Sequence, residues 1–279
     1  MTARVSVVVP AYQNAAYIEA TVDSILAQTY RDFELVVADH SSADGSWDLL
    51  QRYGDDPRVT LLQTPAGGGA KRNWDRVSRA ASGELLKLVP GDDLLHPECL
   101  ARQVEALDAA GPQATLAACR RDLIDGRGAV FRRSRGLVGL TGVVDGREAL
   151  RATVRAGGNL FGEPGCVLLR RDVLERTGWW DDEQPYYIDL ATYANLLLEG
   201  RLVAVDETLA AFRVNAGQWS VRLARQQASQ AAAFHARLHA RAPEAVRDED
   251  VRVGNRRAQL AAAQRRAAYA LLGRRLRAV

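Results

Sequence analysis

Apolar residues recur along the first ninety positions with two alternating periods. Val5-Ser6-Val7-Val8-Val9 is a short β-branched run closed by Pro10, which predicts a buried strand, and Ile18, Val22, Ile25 and Leu26 then return on one face of a helix. Phe33 to Ala38 repeats the strand pattern, and the polar stretch Asp39 to Ser46 leads into a second helix carrying Trp47, Leu50 and Tyr53. Val59 to Leu62 and Leu85 to Val89 supply two more strands, with Trp74, Val77 and Ala81 as the inward face of the helix between them. Strand, polar loop and helix repeated in this order predict an α/β protein with a mostly parallel, doubly wound central sheet flanked by helices. Sheets of this kind bind ligands outside the carboxyl ends of their strands. Pro10, Asp39 and Asp93 are therefore expected on one rim.

Candidate chemistry concentrates on that rim. The fourth strand ends in Pro90-Gly91 followed by Asp92 and Asp93. Two carboxylates repel a phosphate, but with a divalent cation between them they can hold a diphosphate through hard oxygen ligands. The alternative is a solvated turn in which Asp93 or a neighbour caps the helix beginning near Pro97. Asp39 can accept from a base N–H or a ribose hydroxyl, and Tyr12 offers a ring to a base, unless each only covers a helix end. Gly67-Gly68-Gly69 precedes Ala70-Lys71-Arg72-Asn73 at a helix start, where backbone N–H groups and two cations could meet an anion. Neither the phosphate-loop spacing nor a Gly-x-Gly-x-x-Gly fingerprint is present.

The second half continues with a helix containing Leu100, Val104 and Leu107 and a strand from Thr115 to Cys119. Phe131-Arg132-Arg133-Ser134-Arg135 is a basic patch open to an anionic acceptor, a nucleic acid or plain solvation, although no repeating basic-aromatic pattern favours nucleic acid. The loop Asn159 to Gly165 enters a strand from Cys166 to Leu169, and Glu163 in that loop could bind a sugar hydroxyl or merely satisfy local backbone. Asp189 precedes an apolar helix with Leu190, Tyr193, Leu196 and Leu197, which makes it an amino-terminal cap by default. An ordinary aspartate, with a pKa of about 4, would be ionised at neutral pH. Arg213 could neutralise phosphate or form an exposed salt bridge.

Taken in order, several segments resemble the family 2 inverting glycosyltransferases, which have the GT-A nucleotide-diphospho-sugar transferase fold. They are Val7 to Asn14, Leu26 to Glu34, Asp39 with Ser42, Asp44 and Gly45, Lys71-Arg72-Asn73, Gly83-Glu84 running into Gly91-Asp92-Asp93, the loop with Glu163, and Asp189. The resemblance covers roughly residues 4 to 218. It implies that Pro10, Ala11, Tyr12, Asn14 and Asp39 contact the nucleotide, with Lys71, Arg72, Glu163 and Arg213 nearby. It further implies that Asp93 ligates Mg2+ or Mn2+ directly, that Asp92 lies nearer ribose and diphosphate, and that Asp189 is the catalytic base. The expected activity is metal-dependent, inverting transfer from a nucleoside-diphosphate sugar to a hydroxyl or amine of a glycan or small-molecule acceptor. Two departures stand out: Pro90 replaces a leading aspartate, and Asn215 stands near where many relatives have histidine. Those departures support a competing reading, a noncatalytic nucleotide-sugar-binding or assembly protein.

The resemblance divides the chain into a nucleotide-sugar-binding half (1–96), an acceptor half of the same domain (97–218) and a helical extension (219–279), the last read as segments 220–241 and 248–276. Those helices are rich in Ala, Arg and Gln and are expected to pack on the domain or pair two copies, with a basic face near a membrane as a third use. A net charge of +3 does not point to nucleic acid. The three cysteines, Cys99, Cys119 and Cys166, form neither a zinc spacing nor a disulfide framework. A fold-forming strand at the outset and the lack of a long apolar run predict a cytoplasmic protein, either free or peripheral at the inner face of the membrane.

Overall fold

The computed structural model describes residues 3–273. Its sheet opens with β1 (Val5–Ala11), β2 (Phe33–Asp39), β3 (Val59–Gln63) and β4 (Leu85–Leu88). Between them lie α1 (Ile18–Leu26), the short α2 (Ser46–Leu50) and α3 (Gly69–Ala80). β1 runs parallel to β2 and β4, and β2 parallel to β3. The register sets Ala11 beside Asp39, so both strands end at one level. Lys87 interrupts the apolar fourth strand yet is fully buried. Its Nζ donates to Gln103 Oε1 (2.8 Å) and to the Val167 carbonyl (3.4 Å), which satisfies the ammonium inside the core.

The second half adds β5 (Leu94–Leu95), α4 (Cys99–Ala110), β6 (Ala114–Ile124), β7 (Val130–Arg135), β8 (Gly142–Asp145), α5 (Gly146–Ala156), β9 (Val167–Arg170), α6 (Arg171–Arg176), α7 (Ile188–Leu198) and β10 (Arg201–Arg213). All extend the same sheet or cover it. The order is β3-β2-β1-β4-β9-β6-β10-β5, with β7 paired to β6 and β8 to β10. β9 lies antiparallel between β4 and β6, while β10 runs parallel to β6. This is a central sheet flanked by helices, as a GT-A fold requires. The basic run 131–135 lies within strand β7, hydrogen-bonded to β6.

Past β10 come α8 (Trp219–Arg222), α9 (Gln227–Arg241) and α10 (Asp248–Leu272); positions 274–276 of the expected last helix lie outside the described residues. The extension packs on the domain. A Cβ on Gly157 would sit 2.5 Å from the Ala258 nitrogen, and one on Gly254 2.3 Å from the Val154 carbonyl, so two glycines allow α5 and α10 to touch. Asp250, fully buried at the start of α10, pairs with Arg151 (3.0 Å) and Arg155 (2.6 Å) of α5. No described helix is long and apolar enough to cross a membrane.

Candidate active site

One wall of a cavity of about 990 Å3 is made by the carboxyl ends of β1, β2 and β4. The polar stretch after β2 exists to hold the loop after β1. Ser42 Oγ accepts from the Gln13 N–H (3.0 Å), Ser46 Oγ from Asn14 (2.9 Å) and Asp44 Oδ2 from Ala15 (2.9 Å). Asn14 Oδ1 accepts from the Tyr12 N–H (2.8 Å), and a Cβ on Gly91 would come within 2.6 Å of that oxygen. Glycine at 91 is thus needed for close approach of two loops. Asn73 ties the strand ends together from below, donating to the carbonyls of Ala38 (3.2 Å) and Ala11 (3.4 Å).

Pro10, Tyr12 and Asn14 face the cavity, as do His40 and Asn73. Tyr12 is 54% exposed, which leaves its ring free to cover a flat ligand. The His40 ring lies 5.9 Å from it and is held by the Gly67 carbonyl (2.9 Å from Nε2), so this histidine belongs to the wall rather than to the outer surface. Asp39 is fully buried behind that wall. Its Oδ2 accepts from the Ser42 N–H (3.1 Å), while Oδ1 has no partner. Ala11, Lys71 and Arg72 do not reach the cavity. Lys71 is held in an i,i+4 pair with Asp75 (2.5 Å), and Arg72 folds back over Gly68, whose φ of 82° and lack of a Cβ make room for it.

The two acidic neighbours part company. Asp92 faces the cavity and Asp93 does not. Asp92 Oδ2 accepts from Asn215 Nδ2 (2.7 Å). Asp93 Oδ1 accepts from the Arg213 N–H (2.9 Å), and its carbonyl from Thr21 Oγ1 (2.9 Å), so it pins β10 and α1 to the turn. Asp93 was expected as the direct metal ligand, and of the two carboxylates it is Asp92 that meets the cavity. Burial pushes the Asp92 carboxyl up to about 6, with Arg213 and the Asn215 amide opposing. Burial and the charge of Asp92 hold Asp93 well above the usual range. Arg213 neither lines the cavity nor makes a salt bridge. Its guanidinium donates to the carbonyls of Asp92 (2.8 Å) and Asp125 (3.2 Å) and lies over the Tyr17 ring at 4.6 Å.

No group of three His, Cys, Asp or Glu side chains among the described residues could hold a metal ion by itself. The donor set instead fits a hard cation bound through a single carboxylate, Asp92, with the remaining positions left to phosphate oxygens and water. Asn215 can add only a neutral oxygen.

The opposite wall carries the third carboxylate. Asp189 stands in the first turn of α7, whose N-cap is Tyr187, so the expected capping role is not observed. Its Oδ1 accepts from the Leu190 N–H (2.7 Å) and Oδ2 from Asn159 Nδ2 (3.0 Å). Asn159 is fixed in turn, because its amide also donates to the Gly162 carbonyl (2.8 Å) and accepts from the N–H of Phe161 (2.9 Å). Desolvation outweighs those bonds, and with Glu163 adding repulsion the Asp189 carboxyl is pushed up to about 7. Glu163 lines the cavity and is engaged by the buried Arg121 (2.5 Å), a partner that neither reading of it named.

Sequence reasoning singled out Asp189, Glu163 and the basic run 131–135 of this wall and missed its other members. Arg121, Phe131, Arg132 and Arg135 of β6 and β7 face the cavity, and so do Tyr186 and Tyr187 before α7. Residues 261, 264, 265, 268 and 269 of α10 close its far side. That spacing is a helical face, the one signal in the sequence that could have marked α10 as part of the site.

Fold and rim together define an α/β domain of the GT-A kind. The chain belongs to glycosyl transferase family 2, whose profile matches residues 6–178, and it is classed among the glycosyltransferases. An uncharacterized glycosyltransferase of Nostoc sp. is 28% identical over 228 residues, 76% of this chain and 65% of the relative. A chondroitin synthase of Pasteurella multocida is 36% identical over 97 residues, 34% of this chain and a tenth of that enzyme. The chain therefore spans only a part of these curated relatives. Among solved structures, S. aureus TarS 1–349 in complex with UDP-GlcNAc superposes with a TM-score of 0.68 at 18% identity, over 86% of this chain and 66% of that one. The mannosyltransferase PcManGT from Pyrobaculum calidifontis, in complex with GDP-Man and Mn2+, gives 0.65 at 20% identity, over 98% and 76%. These two likenesses establish the shared fold.

Proposed function

We propose that the protein transfers a sugar from a nucleoside-diphosphate sugar to a hydroxyl or amine acceptor in one inverting displacement. The observation that carries this reading is the pairing of Asp92 and Asp189 on one cavity, each a poorly solvated carboxylate facing the space between the two walls. Residues 1–96 would then seat the donor and 97–218 the acceptor, with 219–279 completing the cavity. Tyr12 covers the base, and the unpartnered Oδ1 of the buried Asp39 is the acceptor available to the nucleotide on the β2 side. Asp92 would hold Mg2+ or Mn2+ against the diphosphate, and a cation there would offset the charge of the departing nucleotide. Asp189 removes the proton from the acceptor atom, and a pKa near 7 suits a base working at neutral pH. Asn159 keeps its carboxylate in place. The described residues of the cavity offer no second unengaged carboxylate on the Asp189 wall to act as a nucleophile, since Glu163 is paired with Arg121.

Incubating the full chain with a panel of UDP-, dTDP- and GDP-sugars, Mn2+ and candidate acceptors tests the reading, with anomeric configuration read by NMR. Product of retained configuration would reject the single displacement. One observation favours a noncatalytic sugar-nucleotide binder instead: the Asn215 amide already occupies Asp92 Oδ2. Donor binding that is insensitive to Mn2+, with no turnover for any donor, would decide for that alternative.

A further inference from the structure

We propose that the acceptor carries an anionic group, a carboxylate or a phosphate, received by the guanidinium groups of Arg132 and Arg135 on β7. This rests on the transferase reading above and deepens it. Both arginines are exposed and both face the cavity. Among the described residues neither has a carboxylate within salt-bridge distance, whereas Arg133 between them pairs with Asp122 (3.5 Å). The carboxylate nearest in function, Glu163, is already matched by Arg121. Positive charge on this wall is therefore uncompensated. Arg222 of α8 and Arg265 of α10 add to it on the helical side, where Arg265 Nε is held by Gln227 Oε1 (2.6 Å) and lies 5.9 Å from the Tyr186 ring. Four guanidiniums that have no acidic partner among the described residues thus line one cavity, and arginine forks match carboxylate and phosphate oxygens.

The donor diphosphate is a poor candidate for that anion. Sheet order puts β1 and β2 on one side of β4, and β6 with its partner β7 on the other, beyond β9. Asp92 stands at the end of β4, between the two sides. An acceptor attacking from the Asp189 wall would lie next to β7, and a nucleotide seated over β1 and β2 would not.

The test uses matched probes on the full chain loaded with UDP or GDP and Mn2+, followed by ligand-observed NMR titration. Methyl β-D-glucuronide is compared with methyl β-D-glucoside, and glycerol 1-phosphate with glycerol. At least one charged probe should bind tenfold or more tightly than its neutral twin, and which pair responds separates a carboxylate acceptor from a phosphate one. The Arg132→Ala/Arg135→Ala variant should bring the twins within twofold while nucleotide affinity changes less than twofold. Arg133→Ala, on the same strand, should keep the preference, and Arg132→Gln/Arg135→Gln repeats the test should the alanine variant unfold. Equal binding of the twins by the native protein, or a preference that survives both double variants, overturns the proposal. A loss that falls on UDP or GDP affinity also overturns it by giving the arginines to the donor. Failure of every nucleotide to bind would strike the transferase reading itself, while the charged probes would still report on the arginines.

Discussion

The wall formed by β1, β2 and β4 is tied together by bonds between neighbouring strand ends, whereas the wall across from it gathers side chains from five separated segments. On the first, Asn73, Ser42, Ser46 and Asp44 satisfy backbone groups of loops that the parallel register already brings level. Little charge is left over there, since Lys71 is paired and Arg72 is folded away. On the second, the loop at 159–163, α7, β6, β7 and α10 all contribute groups, and several of the arginines have no acidic partner among the described residues. A rigid, locally specified surface suits a ligand part common to many reactions. A composite surface can change its charge without disturbing the sheet, which suits the part that differs between them.

Removing the one group on the composite wall with proton chemistry should have the largest effect. Asp189→Asn should cut transfer about 10^3-fold, within the range for a general base, while donor affinity stays within about twofold. Single-turnover rates and calorimetric donor titration separate the two, and native-like turnover in this variant would remove Asp189 from catalysis. On the first wall the decisive contrast is between neighbours. Asp92→Asn should weaken Mn2+-dependent donor binding about 100-fold, because it removes the one carboxylate of the first wall that faces the cavity. Asp93→Asn should stay within about threefold, since the amide oxygen can still accept from the Arg213 N–H. The opposite ranking, read by calorimetry with and without Mn2+, would return the metal to Asp93. Arg72→Ala should change donor affinity less than about twofold, because its side chain lies against Gly68 and not in the cavity.

The first wall was more legible in the sequence than the second, of which Asp189, Glu163 and the run 131–135 were singled out, for physical reasons. Strand period, the proline and aspartate at strand ends and the polar runs between them are short-range signals, and they put Pro10, Asp39 and Asp93 on one rim, of which Pro10 faces the cavity while Asp39 and Asp93 lie behind it. The orientation of Asp92 against Asp93 was beyond such signals, because it depends on β10 delivering the Arg213 N–H and the Asn215 amide from 120 positions downstream. Run 131–135 was read as a basic patch open to an anionic acceptor, a nucleic acid or solvation, without its pairing to β6, and α5 left no mark in the reading of the chain. Gly157 and Gly254, which let α10 reach the cavity, carry meaning only once the two helices are seen in contact. The pKa of Asp189 illustrates the same limit. Exposure would leave it near 4, and only the assembled cavity raises it.

That raised pKa gives the most specific of the expected effects. A carboxyl that titrates near 7 when folded and near 4 when unfolded leaves the native state holding an extra proton between those values. Native stability from this group is fully present below about pH 4 and is lost as pH rises through 7, because the unfolded chain ionises first. Asp189→Asn has no such titration. Urea unfolding at pH 4.5 and pH 8 should therefore show the variant gaining on the native protein by about 2 kcal/mol at the higher pH, after discounting the full shift for water entering the cavity. Asp92 and Asp93 titrate upward as well, but they do so in both proteins and cancel in the difference. A gap that does not change with pH would mean that the Asp189 carboxylate is well solvated, and the acid limb of kcat/KM expected near pH 7 would then have to move down with it.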